Sequence, residues 1–326
     1  MKKILFFMLV TCCALPLSAG FIEGEEAFGN KRYSEAMQNF RPLADEGDFR
    51  SQYYVAYMYL NGYGVSKNNQ LGLQYLEKSL SAGYADAQAL MGFLYSQGQI
   101  VPADRKKAVS LYQKAADNGN VAALLNLGIA YYQGDGVPRN LVKAIELLEK
   151  IPVEQQPAAK RYLGDIYLAQ DAENTEKAIG AYRAAAIAGD LASYVALAEI
   201  YLQGTNVERD EERALNYYNY AAAHNFAPAQ YALGIMYANG EGGVSRDPVL
   251  AHAWLSWAVN QNYEPAREAL NQIKTEMTLT DLDKARQKFI DIQNRTLGKV
   301  SSPFEEEARI QNAPQATTHI FRRRRR

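Results

Sequence analysis

An all-helical fold of stacked, repeated helix pairs, a right-handed α-solenoid, is the class this sequence predicts, and three observations predict it. First, a small residue and a tyrosine three places later recur in register: Ala56 and Tyr59, Gly92 and Tyr95, Gly128 and Tyr131, Gly164 and Tyr167, Ala198 and Tyr201, Gly234 and Tyr237, at steps of 36, 36, 36, 34 and 36 residues. Fixed self-similarity at this period marks a solenoid, in which each two-helix unit buries its apolar face only against its neighbours. Second, glycine-rich turns such as Gly62-Tyr63-Gly64-Val65, Gly134-Asp135-Gly136-Val137 and Gly240-Glu241-Gly242-Gly243-Val244 follow the marks, and glycine readily takes the left-handed conformation that ends a helix. Third, a second helix opens at Asn68, Asp104, Asn140, Asn174, Asp210 and Asp247, whose short side chains can accept from the free amides of a first turn. Four residues on comes Gly72, Ala108, Ala144, Ala178, Ala214 or Ala251, and four further on Leu76, Tyr112, Leu148, Tyr182, Tyr218 or Leu255, a small-large alternation along one helical face.

In chain order, Lys2 and Lys3 precede an apolar run from Ile4 to about Leu15 and then Pro16-Leu17-Ser18-Ala19, the pattern of a secretory signal peptide over residues 1–19. A run of about a dozen apolar residues is short of the ~20 that span a bilayer as a helix. Lipidation at Leu9-Val10-Thr11-Cys12 is not expected, because threonine is a poor residue before the modified cysteine. The expected location is therefore periplasmic or secreted. Cys12 and Cys13 are the only cysteines, so the processed chain would have no thiol for a disulfide, a zinc-thiolate site or a nucleophile. Residues 20–47 read as a first helix pair, 48–262 as six repeats, 263–298 as capping helices through Ala266, Leu270, Ile273, Leu282, Ala285, Phe289 and Ile292, and 299–326 as a disordered tail. Where the helix after Asn140 meets Ile151-Pro152 and Pro157 it should stop early, and the following turn, Ala169 to Glu173, lacks glycine.

The unit ALLNLGIAYYQGDGVPRNLVKAIELLEK resembles a Sel1-like repeat, a longer-period relative of the tetratricopeptide repeat, over roughly residues 48–262. Gly24, Tyr33, Ala36 and Phe40 resemble the shorter tetratricopeptide unit. The resemblance implies an adaptor in multiprotein complexes rather than an enzyme. Some cysteine-rich relatives are described as β-lactamase-like, but their paired cysteines are missing here.

The residues agree that chemistry is scarce. With 23 tyrosines against 11 phenylalanines, the tyrosines read as core rings whose hydroxyls find a partner at the rim of the packed layer, the tyrosine three places after each small mark filling the space beside it. His224, His252 and His319 are isolated, and no phosphate loop, nucleophile elbow or zinc helix motif occurs, so no cofactor or metal is expected. What remains is surface. If the first helices line the concave face as in tetratricopeptide arrays, the positions three before and one after the small mark point into it: Tyr53 and Tyr57, Ala89 and Phe93, Leu125 and Ile129, Arg161 and Asp165, Val195 and Glu199, Tyr231 and Ile235. Tyr53, Tyr57, Phe93 and Tyr231 would anchor a protein or peptide partner and Arg161, Asp165 and Glu199 would orient it, or several of these simply pack against the next unit. The chain ends in Phe321 and Arg322, Arg323, Arg324, Arg325 and Arg326. Without Lys2, Lys3 and these arginines, 28 basic face 36 acidic residues, so the cluster is a solubility tail, a ligand for anionic envelope lipids or a ligand for the acidic body. Nucleic acid is not an expected partner.

Overall fold

The small-residue register and the caps are what bring the helices together. The computed structural model describes residues 19–170, 172–204, 206–296 and 300–305, so the leader, His319 and the arginine cluster lie outside the described residues. These contain sixteen α-helices, one 3-10 turn and no strand. They form two compact units, dividing between Asn140 and Leu141. The first holds α1 (Ala19–Gly29), α2 (Tyr33–Glu46), α3 (Phe49–Asn61), α4 (Asn69–Ser81), α5 (Ala85–Gln97), α6 (Arg105–Asp117) and α7 (Val121–Gln133), each packed on the next. The second holds α8 (Leu141–Glu149), α9 (Pro157–Gln170), α10 (Thr175–Ile187), α11 (Leu191–Gln203), α12 (Glu211–Ala223), α13 (Ala227–Asn239), α14 (Pro248–Asn260), α15 (Glu264–Lys274) and α16 (Leu279–Thr296).

Close approach at the small marks is visible atom by atom. A methyl group on Gly92 would come within 2.8 Å of the Tyr112 ring, one on Gly164 within 2.6 Å of Tyr182, and one on Gly234 within 2.6 Å of Leu255. In the first pair Gly24 plays the same part under Phe40. The residue filling the space above the glycine thus comes from the second helix, not from the tyrosine three places along. That tyrosine is half-buried in five of its six positions and buried only at Tyr201. Its recurrent role is in the backbone: the carbonyls of Tyr59, Tyr95, Tyr131, Tyr201 and Tyr237 accept from the amides of Asn68, Asp104, Asn140, Asp210 and Asp247, closing the turn at 2.8 to 3.0 Å.

The tyrosine hydroxyls do reach partners at the rim. Tyr75 donates to Asp45, Tyr182 to Asp165 at 2.7 Å and Tyr167 to Glu149 at 3.2 Å, and Tyr59 accepts from Arg41 at 2.7 Å. Asn68, Asp104, Asp210 and Asp247 cap as expected, accepting from Leu71, Lys107, Arg213 and Leu250. Asp48, Asn120 and Asp190 do the same for the first helices α3, α7 and α11. The expected cap at Asn174 is different: without glycine the connection tightens into a 3-10 turn, Ala172–Asn174, and its side chain accepts no cap bond. The helix after Asn140 stops after nine residues, short of Pro152, against thirteen in the other second helices of the repeats.

The C-terminal end departs from the expected cap and tail. α15 packs on α14 and α13, whereas α16 packs on α14 rather than pairing with α15. Residues 300–305, expected in a disordered tail, are folded onto the second unit, with Phe304 only 9% exposed. The reason is aromatic: Phe304 finds Tyr194 and Tyr217.

Candidate partner-binding surface

In the first unit the expected anchors come together. Tyr53 and Tyr57 lie one turn apart on α3 with ring centroids 6.3 Å from each other, and Phe93 projects from α5 at 46% exposure. Phe93 divides two clefts. One, of about 230 Å³, is walled by Tyr53, Ala89, Leu90 and Phe93 with Asp86, Asn120 and Asn126 at its polar edge. The other, of about 310 Å³, is walled by Tyr57, Leu60, Leu90, Phe93, Leu94 and Ile100, with Asn61, Lys67, Gln97 and Gln99 as its polar lining. Asn120 donates to Asp86 at 2.6 Å, which fixes the polar edge of the first cleft. Burial, then the Asp86 carboxylate and Tyr57, push the Tyr53 hydroxyl up to about 12. It therefore stays a neutral phenol at any physiological pH, able to donate a hydrogen bond. Two clefts of mixed apolar and polar lining on either side of one exposed ring can take two side chains of an extended or helical peptide. Sequence reasoning missed Asp86, Asn120 and Asn126; the Asn120 cap position was the available signal.

The remaining expected residues lie in the second unit and do not form one set. Arg161 pairs with Asp165 at 3.6 Å and with Asp190 of the next repeat at 3.3 Å, and its guanidinium stacks over Tyr162 at 4.5 Å. Burial pushes the Asp165 carboxyl up, against the pull of Tyr182 and Arg161. These charges neutralise one another and tie α9 to the start of α11, which uses up much of their capacity to orient a partner. Glu199 is an exposed carboxylate on α11. Tyr231 is half-buried with its ring 5.6 Å from Tyr263, in the packing between α13 and the start of α15. Val195 and Ile235 likewise pack against their neighbours.

The two described histidines are structural in their contacts. His224 caps the end of α12, its Nδ1 2.8 Å from the Tyr220 carbonyl, and His252 is buried on α14 with its pKa pushed down by burial. Among the described residues no three His, Cys, Asp or Glu side chains converge as a metal would need, and no helix is long and apolar enough to cross a membrane.

The repeated pairs match a known model: residues 50–84, 85–120, 121–151, 191–226 and 227–263 each fit the Sel1 repeat. The chain belongs to the Sel1 repeat family. The unmatched stretch between 151 and 191 holds α9, the 3-10 turn and α10, a Sel1-like pair whose glycine turn is missing. The fold is that of the Sel1 α-solenoids, commonly a protein-interaction scaffold. Among solved structures the chain is similar to c5321 of uropathogenic Escherichia coli, described as a protective antigen with an SLR fold, at 28% identity and TM-score 0.70, over 90% of this chain and 63% of that one. This Sel1 repeat chain thus spans less than two thirds of that protein's length. It is also similar to a Sel1 repeat protein from Oxalobacter formigenes at 25% identity and TM-score 0.67, over 73% of this chain and 96% of that one. No match is found among the curated proteins.

Proposed function

We propose that this Sel1 repeat protein is a non-enzymatic scaffold, exported to the bacterial envelope, that holds protein or peptide partners on the first-helix face of its repeats. The observation that carries the reading is the pair of clefts flanking Phe93. An aromatic residue left 46% exposed between two clefts with polar edges, with Tyr53 and Tyr57 as walls, is the arrangement of a binding hot spot rather than of a packed core. Export is supported by the leader pattern of residues 1–19. The Sel1 family supports partner binding as the general role.

A photo-crosslinking residue at position 93, in intact cells, tests the binding face against the same residue at exposed Lys114 on α6. The expected result is a discrete protein adduct from position 93 that is lost with Tyr57→Ala. The same adduct from both positions, or one indifferent to Tyr57→Ala, refutes the surface. Fractionation of those cells tests export, which a purely cytoplasmic protein would contradict.

The likeness to a protective antigen favours a second reading, a secreted or surface factor contacting host or neighbouring cells. Labelling of whole cells with an antibody to the folded chain separates the two, because a periplasmic scaffold stays unlabelled until the outer layer is opened.

A further inference from the structure

The second-helix side of the second unit carries a socket that the repeat register singles out. One place before and two places after the large second-helix residue stand Tyr75 and Lys78 in α4, Leu111 and Lys114 in α6, and Leu147 in α8 with Lys150 just past its end. In α10 the same places hold Ala181 and Ala184, in α12 Tyr217 and Tyr220, and in α14 Trp254 and Trp257. The lysines are exposed, whereas at their place Tyr220 is half-buried and Trp257 is buried. At the lysine place α12 and α14 carry the aromatic residues Tyr220 and Trp257, and the C-terminal chain covers this stretch: Ile292 and Phe289 of α16 and then Phe304 join the cluster that holds Tyr217, Tyr220, Trp254 and Trp257.

Phe304 sits in the best-formed part of it. Its ring centroid is 5.3 Å from that of Tyr194 and 5.6 Å from that of Tyr217, and the Arg183 guanidinium lies 4.7 Å from its centre, within cation–π range. Tyr194 stands four places before the small mark of its repeat. The same place holds Gln52, Gln88 and Gln230 in three other repeats and Leu124 and Lys160 in two, and Gln52 and Gln230 donate to the Ala44 and Ala222 carbonyls of the preceding helix at 3.1 and 3.0 Å. At Tyr194 the repeat gives up that structural bond for an aromatic wall.

The occupant is held lightly. Beyond the ring and the buried Pro303, its polar tie is the Ser302–Tyr194 hydroxyl contact at 3.3 Å, long for an O–H···O bond. The walls, two tyrosines and an arginine, are the residue types that dominate binding energy at protein interfaces. We propose that the Arg183–Tyr194–Tyr217 socket is a recognition site for a protein segment presenting a proline–aromatic pair, and that Ser302–Phe304 fills it as a tethered competitor. A tethered ligand competes at an effective concentration on the order of millimolar, so a free segment enters when it binds better or when Phe304 is removed. The socket is separate from the clefts around Phe93 and stands or falls independently of them.

The test uses the full-length chain and a fluorescein-labelled peptide of residues 300–305, VSSPFE, titrated by anisotropy into the millimolar range. Phe304→Ala, which vacates the socket without touching its walls, should bind the peptide at least about tenfold more tightly than wild type. Arg183→Ala added to it should weaken binding again, and the peptide with alanine in place of its phenylalanine should not bind. Equal affinity for wild type and Phe304→Ala, or undiminished binding of the alanine peptide, overturns the proposal.

Discussion

Two glycines of one helix pair should respond oppositely to the same methyl group. On Gly164 of α9 a Cβ would stand 2.6, 2.7 and 2.8 Å from three carbons of the Tyr182 ring, which is 2% exposed and has no room to retreat. On Gly180 of α10 it would meet nothing within 4 Å. Both sites are helical, so alanine gains about 1 kcal/mol of helix propensity at each. At Gly164 overpacking costs about 1 to 3 kcal/mol. Shifting the ring also disturbs the 2.7 Å bond from Tyr182 to the Asp165 carboxylate, a bond type worth about 1.5 to 3 kcal/mol. The net expectation is a loss of roughly 1.5 to 5 kcal/mol for Gly164→Ala, the upper end applying if the Tyr182 bond is lost outright, and a gain of about 0.5 to 1 kcal/mol for Gly180→Ala. Urea unfolding followed by circular dichroism reads both, with the transition midpoint as the measure because a repeat array need not unfold in one step. A Gly164→Ala chain as resistant to urea as Gly180→Ala would show that the small-residue register does not set the helix spacing.

Three other outcomes are expected. The double substitution Tyr57→Ala with Phe93→Ala should weaken binding of a crosslinked partner about 30-fold, the equivalent of about 2 kcal/mol for aromatic anchors; titration calorimetry decides, and unchanged affinity moves the site elsewhere. Burial raises the folded-state pKa of Asp165, so its stabilising share is full below the ordinary carboxylate range and is lost as pH rises through the folded value. Asp165→Asn should therefore gain on wild type between pH 4 and pH 7 in paired urea titrations, and a gap that does not change between these two pH values counts against that burial. The terminal arginines should float the purified chain with anionic vesicles at low salt, since each adds about 1 kcal/mol at such a surface, and equal flotation without residues 321–326 would rule membrane docking out.

Much of the fold was legible because the same few positions recur. Gly92, Gly164 and Gly234 gave the packing register, and Asp104, Asp210 and Asp247 gave the helix starts, since a cap is a local event that sequence records directly. What filled the space over each glycine was misread, because Tyr112 and Tyr182 belong to the opposite helix and no local rule says which of two nearby tyrosines turns inward. Tyr53, Tyr57 and Phe93 fell together as expected, but the charged set did not: Arg161 finds Asp190 some thirty residues away, a partner invisible to a reading of one helix face. Ser302–Phe304 was missed because three residues cannot display a period. Its signal lay instead in Tyr220 and Trp257, aromatics at the place where three other units carry Lys78, Lys114 and Lys150.

The contact between Ser302 and Tyr194 spans 108 residues, whereas the ties between adjacent repeats, such as Trp257 to Asn225 or Ser79 to Phe49, span about thirty. A chain made from its N-terminus forward can close each short loop soon after the residues emerge, at little entropic cost. The Phe304 contact cannot form until residue 304 has been added, long after the helices that hold it. Every newly made molecule thus passes through a stage in which α10, α11 and α12 are present and their aromatic socket is empty. During that interval a waiting partner meets no competitor, so the order of synthesis itself gives early-arriving ligands an advantage over late ones.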